Sequence, residues 1–273
     1  MDRDDFAVVT YAERPDLRDV MDQVNSEPWP QFMFHDLVSD EHWNNLYDVF
    51  PDFQFGLMEN RTGRLVAMAN SIPLAWHGTP RSLPDDGWDW AIARGFDDRA
   101  QGVPPHTLSA LCISITRDFQ GKGLSSWVVQ AMRDIGSRSG LERLIAPVRP
   151  NLKAQYPLIP IDEYVTWTRA DGKLFDAWMR VHSELGATVV RPCPRSMHIV
   201  GNVAEWEEWT GLRFPGSGQY IVPGALVPVL VDRDADTAVY VEPNVLDGAR
   251  TTLSVARVSR DGASCRRAPA CRR

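Results

Sequence analysis

The sequence predicts an α/β fold in which a mixed, mostly antiparallel sheet is flanked by helices and carries one βαβ unit at its centre. Two observations carry the prediction. Thr107 to Thr116 (T-L-S-A-L-C-I-S-I-T) alternates polar and apolar residues as a strand. It leads through F-Q-G-K-G-L-S-S into an amphipathic helix, W-V-V-Q-A-M-R-D-I-G-S-R, and then a second apolar strand, Arg143 to Val148. Upstream, Phe53 to Asn60 and Arg64 to Trp76 read as strands joined by N-R-T-G, a hairpin turn in which Gly63 is free to take a positive φ.

The remaining elements follow in order. Phe6 to Tyr11 reads as a first strand, and Pro15 suits the first turn of a helix that runs to about Val24 and is broken by Pro28 and Pro30. Ser39 precedes D-E-H-W-N-N-L-Y-D-V-F, an N-cap followed by acidic residues in the first turn of a helix. Residues 77 to 105 are expected to be a long loop holding Trp88 and Trp90, with W-D-W-A-I-A-R-G-F as a short helix inside it. After a Pro-containing connection over 149 to 172, Leu174 to Leu185 reads as a helix ended by Gly186. Strands are expected at Ala187 to Val190 and Ser196 to Val200, interrupted by P-C-P, and again at Val227 to Val231 and Ala238 to Val241. Residues 1–245 form one domain in this reading. The Arg-rich stretch 246–273, with little hydrophobic periodicity, is expected to be a disordered tail.

Composition narrows the function. A formal net charge of -7 argues against broad electrostatic binding to nucleic acid, which needs a basic face. No apolar run reaches the roughly 20 residues of a membrane span, and M-D-R-D-D-F lacks the apolar region of a signal peptide. The four cysteines form no C-x-x-C pair and have no histidine at zinc spacing, so a cytoplasmic protein with reduced thiols is expected.

The segment richest in chemistry is Q-G-K-G-L-S, Gln120 to Ser125, between strand and helix. Its glycines let successive backbone N–H groups face one concavity, and the following helix adds the positive end of its dipole. A pyrophosphate is the natural ligand of such a turn. A P-loop is excluded because Lys122 is followed by Gly123 and not by Ser or Thr. The dinucleotide pattern G-x-G-x-x-G begins at Gly121 and Gly123 but has Ser126 at its third position, and it sits far from the first strand. The hydrolase elbow G-x-S-x-G is absent.

The turn resembles the acyl-CoA loop of the GNAT superfamily, Q/R-x-x-G-x-G/A, with Gln120, Gly123 and Ser125 at the matching positions and Ser replacing the usual Gly or Ala. The order of elements over roughly residues 6 to 200 is similar to that family's. So is V-H-S-E-L-G-A at 181–187, where Leu185 and Gly186 match the end of the family's fourth helix and Ala187 replaces its usual Phe. The resemblance implies a GNAT-like sheet and direct transfer of an acyl group, acetyl in the first instance, from acyl-CoA to the amine of a small molecule, with no metal. It implies that Ile113, Ser114 and Ile115 pair with the pantetheine arm, and that Gln120, Gly121, Lys122, Gly123, Leu124, Ser125 and Ser126 hold the pyrophosphate. The family's general-acid Tyr aligns with His182, whose ordinary pKa near neutrality suits the same work. Tyr164 (or Tyr156), in the 149–172 connection, is the alternative acid.

Each assignment has a plainer counterpart. The glycine turn also serves as an ordinary strand-to-helix connection. His182 also reads as a half-buried helix residue, and Glu59, Asp162 and Glu163, the carboxylates considered as base, read as solvated. Trp88, Trp90, Trp206 and Trp209 either wall an acceptor pocket or anchor long loops. Two functional alternatives stay open: an acyl-CoA binder without turnover, and an acyltransferase using another acyl-CoA or an alcohol acceptor. Neither nucleic acid nor membrane is expected as a partner. The oligomeric state is left open, a homodimer being the assembly considered.

Overall fold

The structure, a computed structural model, describes residues 2–250. Its strands are β1 (Phe6–Thr10), β2 (Gln54–Glu59), β3 (Leu65–Leu74), β4 (Thr107–Ile115), β5 (Arg143–Val148), β6 (Thr188–Gly201), β7 (Gly218–Tyr220), β8 (Val229–Asp232) and β9 (Thr237–Arg250). The helices are α1 (Arg18–Ser26), α2 (Leu37–His42), α3 (Leu46–Val49), α4 (Gly87–Ala100), α5 (Leu124–Arg138), α6 (Ile161–Tyr164), α7 (Ala177–Glu184) and α8 (Val203–Thr210). They build one sheet in the order β1-β2-β3-β4-β5-β9-β8-β7, with β6 paired to β9. Every neighbouring pair is antiparallel except β4 and β5. The mixed, mostly antiparallel sheet with a central crossover is thus present.

The crossover helix α5 shows why the sequence folds this way. Leu124, Val128, Ala131, Met132 and Ile135 recur at helical spacing, and all are buried against Leu108, Ala110 and Leu144 of the sheet. Burying each larger side chain contributes roughly 1.5–3 kcal/mol. The opposite face of the sheet carries α1, α4 and the core around Phe32, Trp206 and Tyr240, where Phe32 stacks on Trp206 at 5.6 Å between centroids.

Several sequence expectations change, among them the N-cap of α2, which is Asp36 and not Ser39. The short helix inside the 77–105 loop is a full helix, α4, which packs on β3 and β6. The two strands around P-C-P are one strand, β6, with register shifts between Val189 and Arg191 and between Cys193 and Met197. Pro194 falls within the second shift, where a proline costs the ladder no donor, while Pro192 stays in register with Val245. Residues 201–225 hold a helix, α8, with a reciprocal cap between Asn202 and Glu205. Finally, β9 runs to Arg250 and joins β5 to β6, so the expected domain boundary at 245 falls inside a central strand. The rest of the expected tail, 251–273, lies outside the described residues.

Candidate active site

The site begins where the parallel pair comes apart. β4 and β5 pair only through Thr107, Leu108 and Ser109 with Arg143, Leu144 and Ile145. Beyond them, Ala110–Ile115 and Ala146–Val148 do not pair, so that edge of β4 lacks a strand partner among the described residues. A bulge assists the divergence. Asn70 faces Cys112 while Ser71 faces Ala110, which leaves Leu111 as the extra residue. The freed carbonyl of Leu111 accepts the indole N–H of Trp88 at 2.8 Å, so α4 reaches across the sheet to hold the bulge.

A cavity of about 890 Å³ fills the gap. One end is closed by the glycine turn. Gly121 and Gly123 have φ of 72° and 84°, the left-handed region that other residues enter only with strain. Gly123 is the N-cap of α5 and supplies no side-chain acceptor, so the first-turn N–H groups of this 15-residue helix are uncapped by side chains. Uncapped donors and the helix dipole together make an anion site. Of the residues expected at the ligand, Ile113, Ser114, Ile115, Gln120, Gly121, Gly123, Leu124 and Ser125 line this cavity. Lys122 and Ser126 stand outside the lining. The Lys122 ammonium lies 4.8 Å from the centroid of the Phe119 ring. Gln120 donates from Nε2 to the Ile115 carbonyl at 2.9 Å, which closes one backbone acceptor that was expected to meet the ligand.

The two candidate acids part company. His182 lines the cavity from α7, and its Nδ1 is 2.6 Å from Oδ2 of Asp247 on β9. Burial works against its imidazolium, but the charge of Asp247 and the hydrogen bond to it outweigh that burial, and the pKa is raised. Tyr164 is buried in a separate cluster with Ile161, Met179 and Val245 and does not reach the cavity lining. Its hydroxyl donates to Oδ2 of Asp176 at 2.8 Å. Asp176 in turn accepts from the backbone of Trp178 and Met179 and so caps α7. Burial and the Asp176 charge drive the Tyr164 phenol far above its ordinary value. Tyr164 therefore braces the helix that carries His182; it is not placed to give up a proton. Glu59 accepts from Thr62 at its turn, and Asp162 and Glu163 are exposed on α6, outside the lining.

Much of the remaining lining is not legible in the sequence. Trp29, Trp43, Trp88 and, on α2, Asp40 line the cavity, with Trp43 stacked on Trp88 at 6.0 Å between centroids. Trp29 donates to Ser114 Oγ at 3.2 Å, and Ser114 donates to the Asn25 carbonyl at 2.9 Å, which ties α1 to the open edge of β4. Of the four tryptophans considered, Trp88 alone lines the cavity, while Trp206 is a core residue. Deeper in, Glu242 is fully buried. It takes Nε of Arg149 on both oxygens at 2.9 and 3.0 Å, the Tyr240 hydroxyl at 2.8 Å and Asn244 Nδ2 at 3.2 Å. Burial and the Glu242 charge push the Tyr240 phenol well above its ordinary value, which keeps it a donor. Cys112 donates to Asn25 Oδ1, and burial pushes its thiol up to about 11, so it stays protonated at neutral pH and is a poor nucleophile. The one available signal for Glu242 and Asp247 was a pair of carboxylates inside the apolar run V-Y-V-E-P-N-V-L-D.

No protein-family model matches the chain. A curated relative, arginine N-acetyltransferase avaD of Aspergillus versicolor, is 33% identical over 269 residues, covering 88% of this chain and 92% of the relative. Among solved structures, the loading GNATL domain of CurA from Lyngbya majuscula superposes with a TM-score of 0.57 at 17% identity, covering 90% of this chain and 98% of that one. The GNAT-like decarboxylase GphF, solved with isobutyryl-CoA, gives 0.53 at 13% identity, with 90% and 99% covered. These two establish the fold. Among the described residues no helix is long and apolar enough to cross a membrane. With the sequence relationship added to the fold, the chain belongs to the GNAT superfamily of acyl-CoA-dependent N-acyltransferases.

Proposed function

We propose that this protein transfers the acetyl group of acetyl-CoA to a nitrogen of a small cationic amine, with arginine as the first acceptor to test. The observation that carries the reading is the joining of three features on one cavity. These are the open edge of β4, the left-handed glycine turn, and the side-chain-uncapped N-terminus of α5.

Each part has a role in this reading. The open backbone of β4 at Ile113 and Ser114 takes the pantetheine amides as a strand would. Gly121, Gly123, Leu124 and Ser125 present N–H groups to the pyrophosphate, with Lys122 adding charge at the rim. Trp29, Trp43 and Trp88 with Asp40 suit a delocalised or ammonium cation, through indole faces and an opposing charge. The name of the Aspergillus versicolor relative supports arginine in particular. His182 delivers a proton to the departing sulfur. Free Cys112 and Cys193 fit the cytoplasm expected from the sequence.

The test is isothermal titration with acetyl-CoA and free CoA, with NADH as comparison, followed by a thiol-release assay with arginine and a panel of amines. Saturable binding of the CoA species and amine-dependent release of free thiol are expected. Absence of CoA binding overturns the reading.

A further inference from the structure

We propose that Asp247 is a positioning residue for acyl transfer: it holds the His182 ring at Nδ1 and leaves the Nε2 edge to deliver the proton. The proposal rests on the acyl-transfer reading above and adds to it a residue 65 positions further along the chain, in a stretch that the sequence had marked as a tail.

Three features separate this pair from an ordinary buried contact. The side chains are 7% and 5% exposed, yet the His182 residue borders the cavity. Asp247 Oδ2 finds no hydrogen-bond donor among the described residues besides this imidazole contact. The scaffold carboxylates behave otherwise: Asp176 is spent on backbone N–H groups of α7 and residue 152, and Asp98 on the backbone of Ala75 and on Arg94. Third, the helix that carries the ring is fixed at both ends. Asp176 caps its start, and Arg133 Nη1 on α5 donates to the Leu185 carbonyl just past its end at 2.7 Å. The ring therefore has a set position, and Asp247 selects which nitrogen faces the carboxylate.

The step balances. The acceptor nitrogen forms a bond to the acyl carbon, the C–S bond breaks, and its electron pair goes to sulfur. The Nε2 proton of His182 neutralises that sulfur as free CoA thiol. The proton shed by the acceptor nitrogen returns the ring to its charged form, directly or through solvent. An ammonium acceptor then releases one net proton per turnover. The charged groups around the ring are few. Among the described residues Asp247 faces it from β9, and Arg133 on α5 donates to the Leu185 carbonyl. On its own helix, Glu184 is paired outward with Lys173, and Arg180 donates back to the carbonyls of Leu174 and Phe175. The raised His182 pKa fits this arrangement, since burial alone would lower it.

The experiment compares wild type with Asp247→Asn, which keeps size and packing. With acetyl-CoA, kcat is expected to fall about tenfold to a hundredfold while the Kd of CoA is unchanged. The alkaline limb of the kcat profile is expected to move to lower pH by about one unit. Replacing acetyl-CoA by the acetyl thioester of an acidic nitrothiophenol, whose thiolate departs without a proton, is expected to erase most of the deficit. His182→Gln should behave likewise. An unmoved limb, or an equal loss with both thioesters, overturns the proposal. An activity-independent readout guards against a misfolded variant: NMR titration of the wild-type imidazole resonances. A His182 ring titrating above 6.5 supports the pairing, and one titrating below it refutes the pairing. If the ring titrates high, CoA binds, and no amine releases thiol, then acyl transfer has failed and the pairing has not.

Discussion

Gly123→Ala isolates the anion site from the fold. Its φ of 84° would cost an alanine roughly 1–2 kcal/mol of backbone strain. No steric cost adds to this, because a Cβ at this position meets nothing within 4 Å. For a domain of this size each 1 kcal/mol lowers Tm by about 2–4 °C, so the variant should unfold only a few degrees early. Binding should suffer more. The new methyl stands at the N-cap of α5, in the space a phosphate needs to come within about 3 Å of the first-turn N–H groups. Losing one or two charge-assisted hydrogen bonds, each worth about 1.5–3 kcal/mol, predicts a Kd for CoA at least about tenfold weaker. Isothermal titration reads the Kd and a thermal melt reads the strain. Gly123→Glu, which adds charge repulsion, should abolish binding. A folded Gly123→Ala that binds CoA as tightly as wild type would refute the placement of the pyrophosphate.

Other predictions follow from side chains already described. Tyr164→Phe leaves a buried oxygen of Asp176 short of a donor and should cost about 1–3 kcal/mol in urea denaturation, with kcat nearly unchanged; a collapse of kcat would return Tyr164 to the chemistry. Trp88→Phe removes the N–H that holds the Leu111 carbonyl, and should cost a similar amount and raise the KM for acetyl-CoA. Asp89, raised by burial and then by Asp36 and Asp86, has its pKa pushed up to about 8. A carboxyl whose folded pKa exceeds its unfolded value weakens the fold progressively as pH rises from about 4 to about 8. Asp89→Asn should therefore stabilise the protein at pH 8 by about 2 kcal/mol, allowing for its partial contact with water. That gain should shrink as the pH is lowered, as read by denaturation at pH 5 and pH 8.

What the sequence disclosed follows from how local each signal is. The β4–turn–α5–β5 unit is contiguous, so its alternation, glycines and helical spacing announce it. α4 is hard to read from sequence because Gly87, Gly95 and the five aspartates from 85 to 98 resemble loop composition, and its apolar face makes sense only against Ile72 and the rest of β3. β6 reads as two strands because P-C-P looks like a break, although Pro192 and Cys193 keep their pairing with β9 and only Pro194 falls in a bulge. His182 was legible through the family resemblance. Asp247 was not, since nothing near either residue encodes their approach. The same holds for Glu242, whose partner Arg149 lies 93 positions away.

The position of β9 bears on how the protein is made. It is the last described strand in the chain, yet it joins β5 to β6, brings Glu242 and Asn244 to the cavity and sets Asp247 against His182. On a ribosome working from the N-terminus, the glycine turn and the open edge of β4 emerge more than a hundred residues before that strand. Pulse-labelled chains arrested before residue 237 should thus hold the glycine turn, the open edge of β4 and His182 without Asp247. The pairing of β9 with β5 is a long-range step, and such distant pairings are slow steps of folding.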